Sequence, residues 1–267
     1  MSKELVVIKI ENSIAEVYLN RAEKHNSLTL EMFSAIADAG QSLQENRDIR
    51  VAILYGAGPS FCAGLDFSLM TKILEQGSSG DAVIAALIGK SGQTENLAQR
   101  VAMIWQQVDF PVIAAIDGVA FGGGFQIAMG CDFRIVSPNA KFSIMELHYG
   151  LVPDMGITKT LPGILRKDQA LELALTARQF DAREALQLGV VTKIEKNYLG
   201  KARELAAEIS ARSPDAVRGC KKLFNTAWKS SQDDSLELEA LVQGQLLGSP
   251  NQREAVLAAM EKRSARF

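Results

Sequence analysis

The chain has 267 residues and a mass of 28.9 kDa, and its 47% hydrophobic and 22% charged residues are the proportions of a globular protein with one large domain or two. Its 29 Lys and Arg against 31 Asp and Glu give a formal charge of −2, so the basic excess of a nucleic-acid binder is missing. Two histidines (His25 and His148) and no HExxH exclude a multi-histidine zinc site, and the lack of a GxSxG turn argues against a serine hydrolase.

The first residues, MSKELVVIKI, have the charge and alternation of a strand rather than of a signal peptide. The longest uncharged run, Gly118 to Cys131, is glycine-rich and too short for a membrane span. Cys62, Cys131 and Cys220 are odd in number and form no CxxC, so a reduced, cytoplasmic protein with cysteines used for packing is expected.

In chain order, LVVIKI and IAEVYL alternate as strands on either side of Glu11-Asn12-Ser13, a hairpin signal. After NRAEKHNS, the spacing of Phe33, Ile36, Ala37, Gly40 and Leu43 predicts a helix from about Leu30 to Asn46. VAILYG has the apolar run of a strand buried on both faces. The turn-rich GAGPSFCAGLDFS leads to a helix near Leu69, and GSSGD at 77–81 has the composition of a flexible insertion. Gly89-Lys90-Ser91 imitates the end of a phosphate loop, but Ile84 stands where its first glycine must be, within the helix-like AVIAALI. A helix is expected from about Thr94 to Gln107. Beyond it come a buried strand in PVIAAIDG, a glycine cluster, a helix from near Gly124, and strands in FRIVSP and KFSIM. From Leu161 onward only helices are expected, punctuated by Pro162, Gly163 and Pro214. Strands and helices alternating before a helical remainder define an α/β protein.

Two loops could carry chemistry. Gly122-Gly123-Gly124 lies between a strand and a helix, where glycines admit a ligand to the backbone and leave helix N-terminal amides free; a plain tight turn would use the same residues. Cys62-Ala63-Gly64-Leu65-Asp66 also follows a buried strand and precedes a helix. One N–H from each loop could form an oxyanion hole, in which a single donor is worth about 3–4 kcal/mol to a transition state, if the loops meet.

Read together, LNRAEKHNSL, FCAGLDF, PVIAAIDGVAFGGGFQIAMGCDFRI, FSIMELHYGLVPDMG, FDAREALQLGVV and MEKRSARF resemble the enoyl-CoA hydratase/isomerase (crotonase) family over nearly the whole chain. The resemblance implies a spiral of ββα units over 1–195 that binds acyl-CoA. It also implies a helical oligomerisation region over 196–267, with assembly as a homotrimer or dimer of trimers. It places the oxyanion amides on Leu65 and Gly123, flanked by Ala63 and Gly122, and runs the pantetheine path along Leu65, Asp66, Phe67 and Ser68. Lys24 is implied near the CoA, and the last helix, around Lys262 and Phe267, near the CoA of a neighbouring subunit. Nucleic acid, membrane, metal and redox cofactor play no part in this expectation; CoA arrives with the substrate.

The acids select the reaction. Hydratases of the family use two glutamates around one water; the second matches Glu146, whereas the first falls on Gln126, whose amide is no general base. Asp154 stands where dienoyl-CoA isomerases of the family carry an aspartate, although those also have an acid at position 126. Outside the resemblance, Glu146 would be an ordinary solvated carboxylate and Asp154 a turn cap. Asp66 is expected to cap the helix after its loop, His148 to lie behind the pocket or exposed, and Gln126 to orient substrate or merely pack in its helix. These residues favour double-bond isomerisation of an unsaturated acyl-CoA with Glu146 as base. Hydration of a 2-enoyl-CoA is the alternative, and a non-catalytic acyl-CoA-binding member the second.

Overall fold

The computed structural model describes residues 4–76, 81–89 and 94–267. The insertion expected at 77–81 and the Lys90-Ser91 pair therefore lie largely outside the described residues.

Strands β1 (Val6–Glu11) and β2 (Ile14–Leu19) form the expected hairpin, turning through Asn12 and Ser13, both at positive φ. Helix α1 (Leu30–Glu45) is capped by Thr29, which accepts from Met32 N at 3.3 Å, and buries the predicted periodic face. It packs on α4 (Leu97–Gln107), which is closed at its start by a reciprocal Asn96–Gln99 capping box. Between them in sequence lie β3 (Val51–Gly56), α2 (Phe67–Gln76) and α3 (Asp81–Ile88).

Next come β4 (Val112–Ile116), β5 (Val119–Phe121), α5 (Gly123–Gly130), β6 (Phe133–Val136) and β7 (Lys141–Ser143). The chain continues through α6 (Ile157–Thr160), α7 (Lys167–Thr176), β8 (Phe180–Asp181), α8 (Ala182–Gln187) and β9 (Lys193–Ile194). It closes with α9 (Tyr198–Ser210), α10 (Pro214–Thr226), α11 (Gln232–Leu246) and α12 (Pro250–Met260).

Six strands form one sheet in the order β1-β2-β3-β4-β6-β9, parallel except for the hairpin, and β5-β7-β8 form a small second sheet. Successive strands therefore step between the sheets: β4 to β5, then β6 to β7. That alternation is the ββα spiral. The apolar strands are filled on both sides, as period-2 geometry requires. Ala52, Leu54, Val112, Ala114 and Ile116 enter the main core, while Val51, Ile53, Ile113 and Ala115 meet Ala202 and Ala206 of α9.

Two expectations are corrected. The chain after Leu161 is not purely helical, because β8 adds to β7 and β9 to β6. Two-residue strands are too short to write a periodic pattern. The last helix also stops at Met260, so Lys262 and Phe267 lie beyond it; Lys262 has φ +52, and Arg50 Nη2 donates to the Phe267 carbonyl oxygen at 2.7 Å.

Candidate active site

The two glycine-bearing loops do meet. Cys62 N donates to Val119 O at 3.0 Å and Phe121 N to Cys62 O at 3.0 Å, so the first loop extends the edge of the small sheet. Gly64 has φ +88, and a Cβ there would stand 2.7 Å from the Phe121 carbonyl oxygen, so glycine is required both by backbone conformation and by the close approach. Leu65 follows directly, and Gly123 is the first residue of α5. Neither the Leu65 nor the Gly123 amide donates to a partner among the described residues.

The segment 21–28 supports this arrangement from behind. Asn26, at φ +55, accepts from Arg21 N at 2.8 Å and donates from Nδ2 to Ala57 O and Ser60 O. Leu28 N donates to Gly64 O at 2.8 Å and Asp66 N to Leu28 O at 3.0 Å, while Ala63 N donates to His25 O at 2.9 Å. Lys24 itself is exposed on the 3-10 turn Ala22–Lys24.

Asp66 is buried and fully engaged. Its Oδ2 accepts from Arg21 Nη1 at 2.5 Å and Ser27 Oγ at 2.7 Å, and its Oδ1 from Ser68 N and Oγ at 2.8 and 2.6 Å. Burial opposes the charge, but these donors outweigh it and hold the carboxyl well below the usual aspartate range. The side chains of Asp66 and Ser68 are thus committed to each other at the start of α2. Phe67 instead points outward, 68% exposed, with its ring edge-on to Tyr149 at 6.0 Å.

The acids come from the segment after β7. Glu146 begins a 3-10 turn, Glu146–Tyr149, and its carboxylate lies against Gly122, where a Cβ would stand 3.4 Å from Oε1. With φ +51 and no side chain, Gly122 leaves room for that carboxylate against the turn that begins α5. Glu146 Oε1 accepts from Gln126 Nε2 at 2.6 Å, while Oε2 is buried with no partner among the described residues. Burial is the chief cause that raises the Glu146 pKa; its own main-chain N–H, the Gln126 amide and the Met145 N–H oppose the rise, and the Asp154 carboxylate adds to it. Asp154 is exposed as a whole residue, yet enough protein surrounds its carboxyl to raise that pKa too. Gln126 is 1% exposed, and its Oε1 accepts from Met155 N at 2.8 Å. His148 is exposed and stacks edge-on against Tyr149.

The structure thus brings the Ala63-Gly64-Leu65 loop against Gly122 and Gly123 and sets Glu146 and Gln126 on the same glycine turn, with Asp154 next to Met155, which bonds Gln126. Lys24 stands apart, exposed. Sequence reasoning missed Arg21, Asn26, Ser27 and Met155. The first three sit inside the LNRAEKHNSL motif, but their contacts lie some 30 to 45 residues away and leave no local signal. Among the described residues no group of three or more His, Cys, Asp or Glu could hold a metal ion, and no helix is long and apolar enough to cross a membrane.

A parallel sheet feeding two glycine loops, two unpartnered amides and a half-buried glutamate against the second loop defines an enzyme of the crotonase fold. The model of the enoyl-CoA hydratase/isomerase family matches residues 9–267, and the chain belongs to that family. It is 35% identical to the peroxisomal Delta(3,5)-Delta(2,4)-dienoyl-CoA isomerase of Arabidopsis thaliana, covering 99% of this chain and 96% of that one. It is also 32% identical to the crotonyl-CoA hydratase of Syntrophomonas wolfei, over 100% of this chain and 99% of the other. The crystal structure of an enoyl-CoA hydratase from Bacillus anthracis is similar with a TM-score of 0.88 and 26% identity, over 98% of each chain. Isomerases and hydro-lyases both stand among its relatives.

Proposed function

We propose that the chain moves the double bond of an unsaturated acyl-CoA, with Glu146 as the base. One observation carries this reading: the group that faces Glu146 Oε1 at 2.6 Å is the neutral amide of Gln126, so position 126 supplies no general base to activate a water with it. On a 3-enoyl thioester, Glu146 takes a proton from C2 and the electron pair passes to the thioester oxygen, which the Leu65 and Gly123 amides hold as an enolate. Returning the proton at C4 leaves the double bond between C2 and C3. On a 3,5-dienoyl thioester Asp154, starting as the carboxylic acid, gives a proton to C6, and the proton that Glu146 took from C2 passes back to Asp154 through solvent to reset the pair. Phe67 and Ser68 flank the route to the thioester, with Lys24 toward the CoA. No metal or redox cofactor enters this scheme.

Hydration of 2-enoyl-CoA is the second reading, favoured by the raised pKa of Glu146, which suits an acid that must give a proton back. We further propose a homotrimer or dimer of trimers built through 196–267, supported by the outward Phe224 and Trp228, and a cytoplasmic location, supported by three free cysteines.

Mass spectrometry of short 2-enoyl-, 3-enoyl- and 3,5-dienoyl-CoA, with product separation by chromatography, tests the choice. Isomerised product of unchanged mass supports the proposal. A gain of one water on 2-enoyl-CoA, with no isomerisation, replaces it by hydration. Saturable binding without turnover of any of the three would make the chain a non-catalytic acyl-CoA binder.

A further inference from the structure

The two oxygens of Glu146 are not equivalent: Oε1 is occupied by Gln126, and Oε2 is buried and unpartnered. The orientation of the Gln126 amide follows from its other neighbour. Met155 N–H can only donate, so the Gln126 carbonyl faces it and the NH2 group faces Glu146. Three separate segments therefore converge on one buried amide: α5 through Gln126 itself, the 3-10 turn through Glu146, and the Asp154-Met155 segment through a main-chain N–H.

We propose that Gln126 is a positioning residue for the pair of carboxylates: it holds Glu146 by Oε1 so that Oε2 is the oxygen left to take the proton, and through Met155 it keeps Asp154 in register with that oxygen. The proposal rests on the reading of Glu146 as base, and it gives the amide a task here: it offers Glu146 an N–H donor, which an ionised carboxylate lacks. A carboxylate at 126 would lie 2.6 Å from Glu146, and two such groups cannot both ionise, so they would share a proton instead of leaving one oxygen free.

The charged surroundings leave this control to few groups. Helix α5 brings no charged side chain toward Glu146, its sequence being GGFQIAMG. Helix α7, packed on the 3-10 turn, carries Lys167, Asp168 and Glu172; Asp168 pairs with Arg166, and Glu172 with Arg178. His148 follows on the turn itself, exposed, and Asp154 is the carboxylate that adds to the Glu146 pKa.

The test uses Gln126→Glu and Gln126→Met in the full-length protein labelled with carbon-13 at the glutamate side-chain carboxyl, with Glu146→Gln assigning the resonance. Met cannot donate to Glu146. Glu can still accept from Met155 N–H, so it spares the loop contact if Met does not fold. The expected result is a Glu146 titration midpoint raised by at least about one pH unit in both variants, the loss of one hydrogen bond to a buried carboxylate. In Gln126→Glu the titration also splits into two coupled steps. With a 3-enoyl-CoA, the acid limb of kcat/KM moves up with the midpoint, and kcat falls at least about tenfold while KM changes little, as expected when a general base is misplaced. A Glu146 midpoint unmoved in folded variants would overturn the proposal, whatever their melting temperatures. A shifted midpoint in a protein that isomerises nothing would uphold the positioning role and remove the proposed reaction instead.

Discussion

A carboxyl that is largely buried and feels a second carboxyl holds its proton more tightly than one in water, and Glu146 is in that position. Its folded pKa stands above the unfolded glutamate value of about 4.3, so the ionised form weakens the fold at any pH above the folded pKa, and this penalty vanishes below about pH 4. Glu146→Gln keeps an oxygen for Gln126 to donate to and removes the charge. It is expected to melt higher than the wild type at pH 7 to 8 in calorimetry, the gap closing as the pH falls toward 4. The same variant is expected to lower isomerase turnover by at least about 10²-fold while sparing acyl-CoA binding. Unchanged turnover would remove Glu146 from the mechanism. At this scale the sequence motifs named Glu146, Asp154, Leu65 and Gly123. They could not name Arg21 or Met155, because a guanidinium reaching Asp66 and a main-chain N–H holding Gln126 are consequences of folding.

The proposed oxyanion site is made by element ends. Gly123 is the first residue of α5, a position where proline suits the helix backbone, so Gly123→Pro deletes one N–H at small cost to the helix. A side chain there meets the far ends of Leu28 and Met155 at 2.8 Å, and Gly123→Ala carries the same crowding while keeping the N–H. Turnover of the proline variant is expected to lie about 10²- to 10³-fold below that of the alanine variant, the usual worth of one such donor. Equal rates in two folded variants would cancel the assignment. Element by element, the long amphipathic α1 and the apolar β3 and β4 were legible because their periodicity is set by burial on one face or two. The strands β5, β8 and β9 were not, since two or three residues held by neighbours carry no pattern of their own.

Over the whole molecule, apolar side chains remain uncovered on the C-terminal helices and on the 3-10 turn after α10. Phe224 and Trp228 are 60% and 74% exposed and stack edge-on at 5.5 Å. They border a recess of about 1060 Å³ that runs between α10 and the strand ends near Asp132 and Phe133 and is lined by neither Glu146 nor Asp154. Exposed aromatic side chains gathered at one recess are what an association surface presents. Light scattering is expected to give three or six copies for the wild type and a smaller species for the double variant Phe224→Ser, Trp228→Ser. A wild-type mass of one chain would refute the proposed assembly. The α/β class was legible in the alternation of strands and helices, and the spiral only through the family resemblance, whereas nothing in the pattern of α11 or α12 separates a face awaiting a partner from one turned to water.

The two loops tied together at Cys62 and Phe121 also set a pattern in time. The amides of Cys62 and Phe121 are locked to carbonyls, whereas those of Leu65 and Gly123, only a few residues away, have no acceptor among the described residues. In deuterium oxide the first pair exchanges only when the loops part, and the second whenever solvent reaches it. The free enzyme therefore carries two fast-exchanging amides within a slow framework, and an enolate analogue that slows those two alone would trace the oxyanion position by isotope, without any turnover.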